Sequence, residues 1–229
     1  MHNSNIVGII QARMGSTRLP NKMMLHLHGY PIVQWLHERL KGSKFLSSCV
    51  FAIPDTKEND VLEYFLNKIG ADVYRGSEHD LVDRYFSAAK LFKASHIIRI
   101  CGDNPLVCST EVDSLIKFYF DSKNIDYAYN HIPRDNCYPD GFGAEICSIE
   151  ILNNIFLEAS ASQREHLFDH VWSSPSNYSI GTFDPPVAIR YPAFKFDINN
   201  YTDYQYLLSL DLNISMDAEQ IVNQALSSC

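Results

Sequence analysis

The 229-residue sequence has no apolar run long enough to cross a bilayer, so we expect no membrane-spanning helix. Its first residues lack the basic segment and the apolar core of a secretory signal, which predicts a cytoplasmic protein. Glycine and proline are sparse, at 10 residues each, which excludes collagen-like and low-complexity chains. Because 46% of the residues are hydrophobic, the chain can bury a core, and global disorder is excluded as well.

The sequence also lacks a Cys-x-x-Cys pair. Its six cysteines are scattered along the chain: Cys49, Cys101, Cys108, Cys137, Cys147 and Cys229. A chain of this length does not need disulfides to hold its core together, and no secretory signal is evident. The sequence therefore predicts free thiols.

An excess of positive charge is missing too, because 27 acidic residues against 19 basic ones give a net charge of -8. Binding of duplex nucleic acid depends on neutralising phosphates, so we expect neither nucleic acid nor a membrane as a partner. The net charge does not exclude a small anion held in a local basic pocket.

Strand-like and helix-like segments alternate in the first half of the chain. Apolar, largely β-branched runs predict strands at residues 5–10, 49–53, 71–74, 96–100 and 125–129. Amphipathic segments predict helices at residues 31–40, 59–68, 81–92 and 111–120. Strands joined by crossover helices predict an α/β protein with a mostly parallel sheet.

The second half of the chain is less regular. Its patterns predict strands at residues 143–147, 178–182 and 187–190. They predict helices at residues 149–159, 164–172, 202–208 and 217–225. No internal repeat and no linker-like tract interrupts the sequence, so we expect one domain over residues 1–229.

The most informative segment runs from Gln11 to Lys22, directly after the first strand, at the sheet edge where α/β folds bind ligands. It contains Gly15 and Ser16, which allow tight turns whose N–H groups can face an anion. It also contains three cations: Arg13, Arg18 and Lys22. Neither G-x-x-x-x-G-K-[ST] nor G-x-G-x-x-G is present. From composition alone, a phosphate-binding loop and a solvated basic loop are equally good interpretations.

The stretch from Ile10 to Pro20 resembles the signature of the cytidylyltransferase superfamily, which includes the synthetases that activate Kdo and neuraminic acids with CTP. It is similar in particular to the spore-coat polysaccharide (SpsF-like) branch, and the resemblance extends from Ile6 to about Leu208. The resemblance implies a three-layer α/β/α sandwich with a mostly parallel mixed central sheet, as in nucleotide-diphospho-sugar transferases. It further implies a nucleotide-binding half (residues 1–122) and an acceptor-binding half (residues 123–229), with a homodimer.

In this resemblance the loop wraps the triphosphate of CTP, with Arg13 and Lys22 on the phosphates and the backbone of Ala12 near the cytosine. The implied nucleotide-binding residues of the loop are Gln11, Ala12, Arg13, Gly15, Ser16, Arg18 and Lys22.

Two aspartates at strand ends are candidate Mg²⁺ ligands. Asp103 follows an apolar strand, and a carboxylate there suits Mg²⁺, although turn capping is the better interpretation from local sequence alone. The similarity of Gly102-Asp103-Asn104-Pro105 to the family's G-D-x-P motif implies a metal ligand. Asp197 matches the second metal-binding aspartate of the family, in a looser alignment, and Asp203 fits the start of the following helix.

Further candidates lie in three segments that resemble the same branch. Arg75 and Arg84, in the R-G-S segment, are implied to contact the nucleotide, whereas Ser77 there could simply cap a helix. Asp140 and Glu145, in the P-D-G…E segment, are implied to lie on the acceptor side, although Asp140-Gly141 is also an ordinary turn.

The third segment, Arg-Glu-His, implies that Arg164 and His166 hold an anionic acceptor. His166 and His170 are spaced i, i+4 within a predicted helix, a spacing that can bind zinc. The H-E-x-x-H order and a third ligand are missing, so the sequence favours a structural or substrate-facing role.

The function implied is transfer of CMP from CTP to an acidic sugar or a phosphorylated small molecule, with release of pyrophosphate, in polysaccharide or glycoconjugate biosynthesis. Arg13, Lys22 and Asp103 would carry catalysis with Mg²⁺, and no protein nucleophile is required. Two enzyme alternatives stay open on the same fold, namely use of another nucleoside triphosphate and consumption of a nucleotide sugar by a glycosyltransferase. A nucleotide-binding protein without catalysis is the alternative from another class.

Overall fold

The computed structural model describes residues 4–228. Cys229, predicted to be a free thiol, lies outside the described residues, as do the first three. The five other cysteines are free, as predicted. Within residues 4–228 no helix is both long and apolar enough to cross a membrane.

Seven of the strands between residues 4 and 228 form one sheet, and two short strands form a separate hairpin. The strands are β1 (Ile6–Gln11), β2 (His26–Leu27), β3 (Tyr30–Pro31), β4 (Ser48–Pro54), β5 (Asp72–Gly76), β6 (His96–Cys101), β7 (Tyr127–Tyr129), β8 (Glu145–Ser148) and β9 (Ile180–Gly181). The sheet order is β5-β4-β1-β6-β8-β7-β9. Only β8 is antiparallel to its neighbours, so the prediction of a mostly parallel mixed sheet is confirmed.

Helices cover both faces of this sheet and complete the three layers. They are α1 (Ile32–Leu40), α2 (Asp60–Lys68), α3 (Leu81–Leu91), α4 (Ser109–Asp121), α5 (Ile149–Glu158), α6 (Asp169–Ser173), α7 (Tyr201–Ser209) and α8 (Ala218–Ser227). Alternate side chains of β1 point to opposite faces, as the two-residue period of a strand requires. Ile10 packs in one core cluster with α1, α2, α4, α7 and α8, and Ile9 packs in the other with α3, α5 and α6.

The carboxyl ends of β1 and β6 lie side by side at the centre of the sheet. Gln11 pairs in register with Cys101, and the loops that follow the two strands therefore begin next to each other. Gly102 makes this approach possible, since a Cβ there would lie 2.1 Å from the carbonyl oxygen of Gln11.

Two predictions for the second half of the chain are wrong. Residues 187–190 form no strand: Val187–Ile189 is a 3-10 turn that follows Pro186, and the N–H groups of Ile189 and Arg190 donate within the turn to the carbonyls of Pro186 and Val187. The helix predicted at residues 164–172 begins only at Asp169. His166 precedes that helix and does not share a face with His170.

Tertiary contacts explain the late start of α6. The carbonyl of Arg164 accepts a hydrogen bond from the N–H of Leu81 at 2.9 Å, and the guanidinium of Arg164 binds Asp80 at 2.6 Å. The segment before α6 is therefore attached to the start of α3 and does not continue as a helix.

Candidate active site

A cavity of about 530 Å³ opens at the carboxyl ends of β1 and β6. Its walls come from the loop Gln11–Lys22, from residues 78–84, from Gly102 and Asp103, and from residues 161–166. Four cations line it: Arg13, Arg18, Lys22 and Arg84. The cavity therefore concentrates positive charge within a protein of negative net charge. It can hold a small molecule that carries several negative charges.

The loop after β1 is held in place by its own hydrogen bonds and by hydrogen bonds to residues outside it. The buried Asn59 accepts a hydrogen bond from the N–H of Met14 at 2.9 Å. The hydroxyl of Ser16 accepts one from the N–H of Leu19 at 3.3 Å. Asn21 adopts a left-handed conformation (φ 57°) that leads into a 3-10 turn at Lys22–Met24. These turns reverse the chain, so that Lys22 at the end of the loop also lines the cavity.

Lys22 lies at the junction of two further loops. Its ammonium donates to the carbonyl of Ile198 at 2.9 Å and lies 4.0 Å from the carboxylate of Asp103. Burial lowers the pKa of Lys22, and the charge of Asp103 partly opposes this effect. The N–H of Ile198 donates to the carbonyl of Asp103 at 2.7 Å, which attaches the segment around Asp197 to the loop after β6.

Three carboxylates meet beside the cavity: Asp103, Asp140 and Asp197. Burial, followed by the charge of Asp197, raises the pKa of Asp140 to about 7. Burial also raises the pKa of Asp197, although the Lys195 ammonium, 3.4 Å from its Oδ1, opposes the shift. Burial and mutual repulsion both disfavour negative charge on Asp140 and Asp197, and a bound cation would relieve both effects.

The donor set fits Mg²⁺ on chemical grounds, since carboxylate oxygens are hard ligands. In the described part of the chain, no group of three or more His, Cys, Asp or Glu side chains is arranged to hold a metal ion by itself. Mg²⁺ usually keeps several waters and binds proteins through one or two carboxylates together with substrate phosphates. Asp103 and Asp197 match that pattern.

Gln11 lies on the cavity wall in front of a buried polar network. Its Oε1 accepts hydrogen bonds from the hydroxyl of Tyr85 and from Nε of Arg99, both at 3.2 Å. Arg99 forms an ion pair with Glu145, which also accepts a hydrogen bond from Tyr127. Burial opposes ionisation of Glu145, but nearby positive charge, that of Arg99 above all, outweighs it and lowers the pKa of Glu145.

This network changes the interpretation of Glu145. The sequence suggested a residue on the acceptor side, but Glu145 is buried within the sheet and does not line the cavity. Its carboxylate faces Arg99 from the neighbouring strand, where the two residues are paired in register.

The two arginines predicted to contact the nucleotide occupy different environments. Arg84 lines the cavity and is largely buried, and its Nη1 donates to the carbonyl of Ser77 at 2.6 Å. Arg75 does not line the cavity. Its guanidinium binds three carboxylates, those of Asp55, Asp60 and Glu63, at the far edge of the sheet.

Residues 161–166 form the opposite wall of the cavity. His166 lines it, as do Ser162 and Glu165, two residues that sequence patterns did not single out. Arg164 points away, because its guanidinium binds Asp80 and the carbonyl of Phe156. His170 lies 3.6 Å from Glu158 and forms no zinc pair with His166.

The segment before α3 supplies two more lining residues, Glu78 and His79. They belong to the same segment as Arg75 and Arg84. Their position just before a predicted helix was the one feature of the sequence that could have indicated them as lining residues. Ser77 does not cap α3: Asp80 does, by accepting a hydrogen bond from the N–H of Asp83 at 2.8 Å. Asp203 lies at the start of α7 as predicted, in a capping box with Asn200.

Comparisons with known proteins agree on one family. The family model described as Cytidylyltransferase matches residues 7–138. The spore coat polysaccharide biosynthesis protein SpsF of Bacillus subtilis is 32% identical over 213 residues, which cover 90% of this chain and 86% of that protein. The 3-deoxy-manno-octulosonate cytidylyltransferase of Bdellovibrio bacteriovorus is 34% identical over 126 residues, 54% of this chain and 49% of that one. The structure of a cytidylyltransferase from Leptospira borgpetersenii has a TM-score of 0.89 at 28% identity, covering 99% of this chain and 95% of its own.

Proposed function

The chain belongs to the cytidylyltransferase family, and we propose that it transfers CMP from CTP to an oxygen of an acidic sugar or a phosphorylated small molecule, releasing pyrophosphate. One observation carries the proposal: four cations and the carboxylate of Asp103 converge on a single cavity at the carboxyl ends of β1 and β6. A triphosphate needs cations along its length, and a nucleotidyl transfer needs a carboxylate that can hold a divalent metal beside the reacting phosphate.

In this reaction an acceptor oxygen attacks the α-phosphorus of CTP. A hydroxyl acceptor releases its proton to solvent as the new P–O bond forms, whereas an ionised phosphate oxygen attacks without losing a proton. The bond between that phosphorus and the oxygen that bridges to the β-phosphate breaks, and its electron pair leaves with pyrophosphate. Arg13 and Lys22 offset the charge that develops on the leaving group, and Arg18 and Arg84 bind the remaining phosphate oxygens. Ala12 and Ser16, which line the cavity, bring the backbone close to the nucleotide, whereas Gly15 does not line the cavity. The chain supplies position and charge rather than a nucleophile.

Asp103 and Asp197 are the residues that would hold Mg²⁺ in this proposal. The bound ion would neutralise charge on the triphosphate and polarise the α-phosphate. The hydrogen bonds that Ile198 makes to Lys22 and Asp103 keep the two candidate ligands on adjoining loops. Asp140, close enough to Asp103 and Asp197 for their charges to raise its pKa, adds to the negative potential there.

The acceptor is assigned to the wall formed by residues 161–166, with His166 facing it. This assignment divides the chain into a nucleotide half (residues 1–122) and an acceptor half (residues 123–229) within one domain. Glu145 and Arg164 then act by holding neighbouring elements, since neither lines the cavity. The names of two relatives refer to spore coat polysaccharide and to a sugar acid, which supports a role in surface polysaccharide or glycoconjugate synthesis.

A cytoplasmic location is part of the proposal, because the reaction consumes a nucleoside triphosphate and free thiols persist in a reducing compartment. A homodimer is part of it too, and rests on the family resemblance. Light scattering after size-exclusion chromatography measures the mass in solution, and a monomeric mass would remove the homodimer from the proposal.

The test is a pyrophosphate-release screen with Mg²⁺, each of the four ribonucleoside triphosphates, and a panel of sugar acids and phosphorylated acceptors. We expect release from CTP only when an acceptor is present. Release of pyrophosphate from a different triphosphate, with none from CTP, would contradict the choice of CTP. Binding of CTP without pyrophosphate release from any acceptor would favour a non-catalytic nucleotide-binding protein, and turnover of a nucleotide sugar would favour a glycosyltransferase.

A further inference from the structure

The side chain of Gln11 lines the cavity at the end of β1, and Arg99 behind it determines how its amide is oriented. Arg99 and the hydroxyl of Tyr85 both approach the same atom, Oε1, at 3.2 Å. The Tyr85 hydroxyl is equally close to the carbonyl oxygen of Ile9, so its single hydrogen is shared between two acceptors. The guanidinium of arginine is always protonated and can only donate hydrogen bonds. An amide turned the other way would direct its N–H₂ group at that guanidinium, so the contact with Arg99 requires the oxygen there.

The consequence concerns the other end of the amide. With Oε1 directed to Arg99 and Tyr85, the Nε2 group of Gln11 has no acceptor among residues 4–228, and it is left to a ligand in the cavity. A side-chain amide that could rotate would offer a ligand either a donor or an acceptor. Held in this way, Gln11 offers a donor only.

Arg99 is itself held rigidly. It lies on β6 directly opposite Glu145 on β8, and the two form an ion pair. Tyr127, from β7, donates a hydrogen bond to the same carboxylate, and His131 lies 3.7 Å from it. Glu145 and Tyr127 are buried, so breaking this network would leave an unpaired charge within the sheet. Three strands therefore fix the orientation of one amide on the cavity wall.

We propose that Arg99 and Tyr85 are positioning residues which hold Gln11 as a hydrogen-bond donor to the nucleotide base, and that this donor selects CTP over UTP. Ring atom N3 of cytosine carries a lone pair and accepts a hydrogen bond, whereas N3 of uracil carries a hydrogen and donates one. The donor that we propose is directed at N3, where it pairs with cytosine and opposes uracil. The inference rests on the proposed function and adds to it the assignment of the base to the Gln11 end of the cavity.

The test is equilibrium binding of CTP and of UTP, each with Mg²⁺, to the wild type and to Gln11→Glu, and it requires no acceptor and no turnover. The variant is nearly isosteric and still presents an oxygen to Arg99, but it directs a second acceptor into the cavity. We expect the Kd for UTP divided by the Kd for CTP to be about tenfold or more lower in the variant than in the wild type. A mismatched polar contact weakens binding by roughly that factor. The added negative charge weakens both nucleotides and cancels in the ratio.

Variants of the positioning residues extend the test. Tyr85→Phe removes one of the two donors and should lower the same ratio by a few fold. Arg99→Met is made together with Glu145→Gln, so that no buried carboxylate is left unpaired. This double variant should lose most of the preference for CTP, and Arg99→Lys, which keeps a charged donor next to Glu145, should restore part of it. Loss of packing alone would weaken both nucleotides equally and leave the ratio unchanged.

The possible results separate the inference from the proposed function. A wild type that binds CTP, together with a Gln11→Glu variant of unchanged ratio, overturns the inference and leaves the proposed function standing. A wild type that binds neither nucleotide overturns both. A fall of the ratio in Gln11→Glu and Tyr85→Phe supports the assignment of the base to Gln11.

Discussion

The ammonium of Lys22 lies 4.0 Å from the carboxylate of Asp103, although 80 residues of chain separate them. The two residues belong to the loops that follow β1 and β6, which are adjacent and parallel. Ile198, from a third loop, accepts a hydrogen bond from Lys22 and donates one to Asp103. The cation that we propose for phosphate binding and the carboxylate that we propose for metal binding are thus placed side by side by the topology of the sheet.

Replacing Lys22 tests the role of its charge. We expect Lys22→Met to lower kcat for pyrophosphate release by about 10²–10³, the usual effect of removing one group that stabilises a developing charge. The free energy of unfolding should change little, because Lys22 is already partly desolvated in the fold. The exposed Lys41, whose ion pair is with the neighbouring Glu38, provides the control variant Lys41→Met. Equal turnover in the two variants would exclude a role for Lys22 in the chemistry.

Replacing Asp103 tests the proposed metal site. Asp103→Asn keeps the shape of the side chain but removes its charge, and we expect turnover at saturating CTP to fall at least about 100-fold, with a higher Mg²⁺ concentration needed for half-maximal rate. Asp211→Asn, at an exposed position, is the control. An unchanged Mg²⁺ dependence in Asp103→Asn would mean that the ion is held elsewhere.

The contact between Gly102 and β1 predicts a large difference between two glycine variants. A Cβ at Gly102 would lie 2.1 Å from the carbonyl oxygen of Gln11, so Gly102→Ala must move the backbone, at a cost of about 1–3 kcal/mol in unfolding free energy. At Gly15 the nearest atom to an added Cβ is the Glu58 carboxylate at 3.4 Å, so Gly15→Ala should cost about 0.5 kcal/mol or less. Urea unfolding measures both values, and similar losses would contradict the close approach of the two strand ends.

Arg84 and Arg75 form a matched pair for testing which arginine binds the nucleotide. Arg84→Met should weaken CTP binding by about tenfold, since it removes a charged hydrogen-bond donor from the cavity. Arg75→Met should leave binding unchanged, because Arg75 is bound to Asp55, Asp60 and Glu63 outside the cavity. Isothermal titration of the folded variants with CTP decides the point, and equal weakening would show that Arg75 also reaches the nucleotide.

Two partly buried histidines predict a dependence of stability on pH. Burial lowers the pKa of His37 and of His96 in the folded chain, whereas both titrate near 6.5 when unfolded. Above that pH both states are neutral and the effect is absent. As the pH falls below it, the unfolded chain takes up more protons, and stability falls by at most about 1.4 kcal/mol per pH unit for each histidine.

The measurement compares wild type with the variant His37→Gln/His96→Gln by urea unfolding between pH 7.5 and 5.5. Asp140, with a pKa raised to about 7, acts in the opposite direction, because the folded chain binds its proton more tightly. The difference between the two proteins removes that contribution. We expect the variant to gain stability relative to wild type as the pH falls, and His26→Gln, at an exposed position, is the control for replacing a histidine by glutamine.

The local sequence was sufficient to predict most of the fold and the residues of one cavity wall. The apolar run before Gln11 predicted β1, and the cations after it predicted a ligand loop at that sheet edge, where Arg13, Arg18 and Lys22 lie. The helices predicted from their 3.6-residue period correspond to α1 to α5, α7 and α8 within a few residues. In these segments the local pattern and the tertiary packing require the same structure.

The remaining features depend on contacts between distant parts of the chain. The carboxylates of Asp55, Asp60 and Glu63 hold Arg75 away from the cavity, and no local motif encodes that. Glu145 becomes a buried partner of Arg99 only because β6 and β8 pair in a particular register. The hairpin of β2 and β3 turns at His28 and Gly29, both at positive φ, a signal too short for a period to detect.

The most direct test of CMP transfer follows the phosphorus atoms of CTP. The protein is incubated with Mg²⁺, an acceptor that supports turnover in the pyrophosphate screen, and CTP labelled at either the α- or the γ-phosphorus. We predict that the α label appears in the acceptor product and the γ label in pyrophosphate. Transfer of the γ label to the acceptor, or its release as orthophosphate with the α label left in CDP, would contradict nucleotidyl transfer.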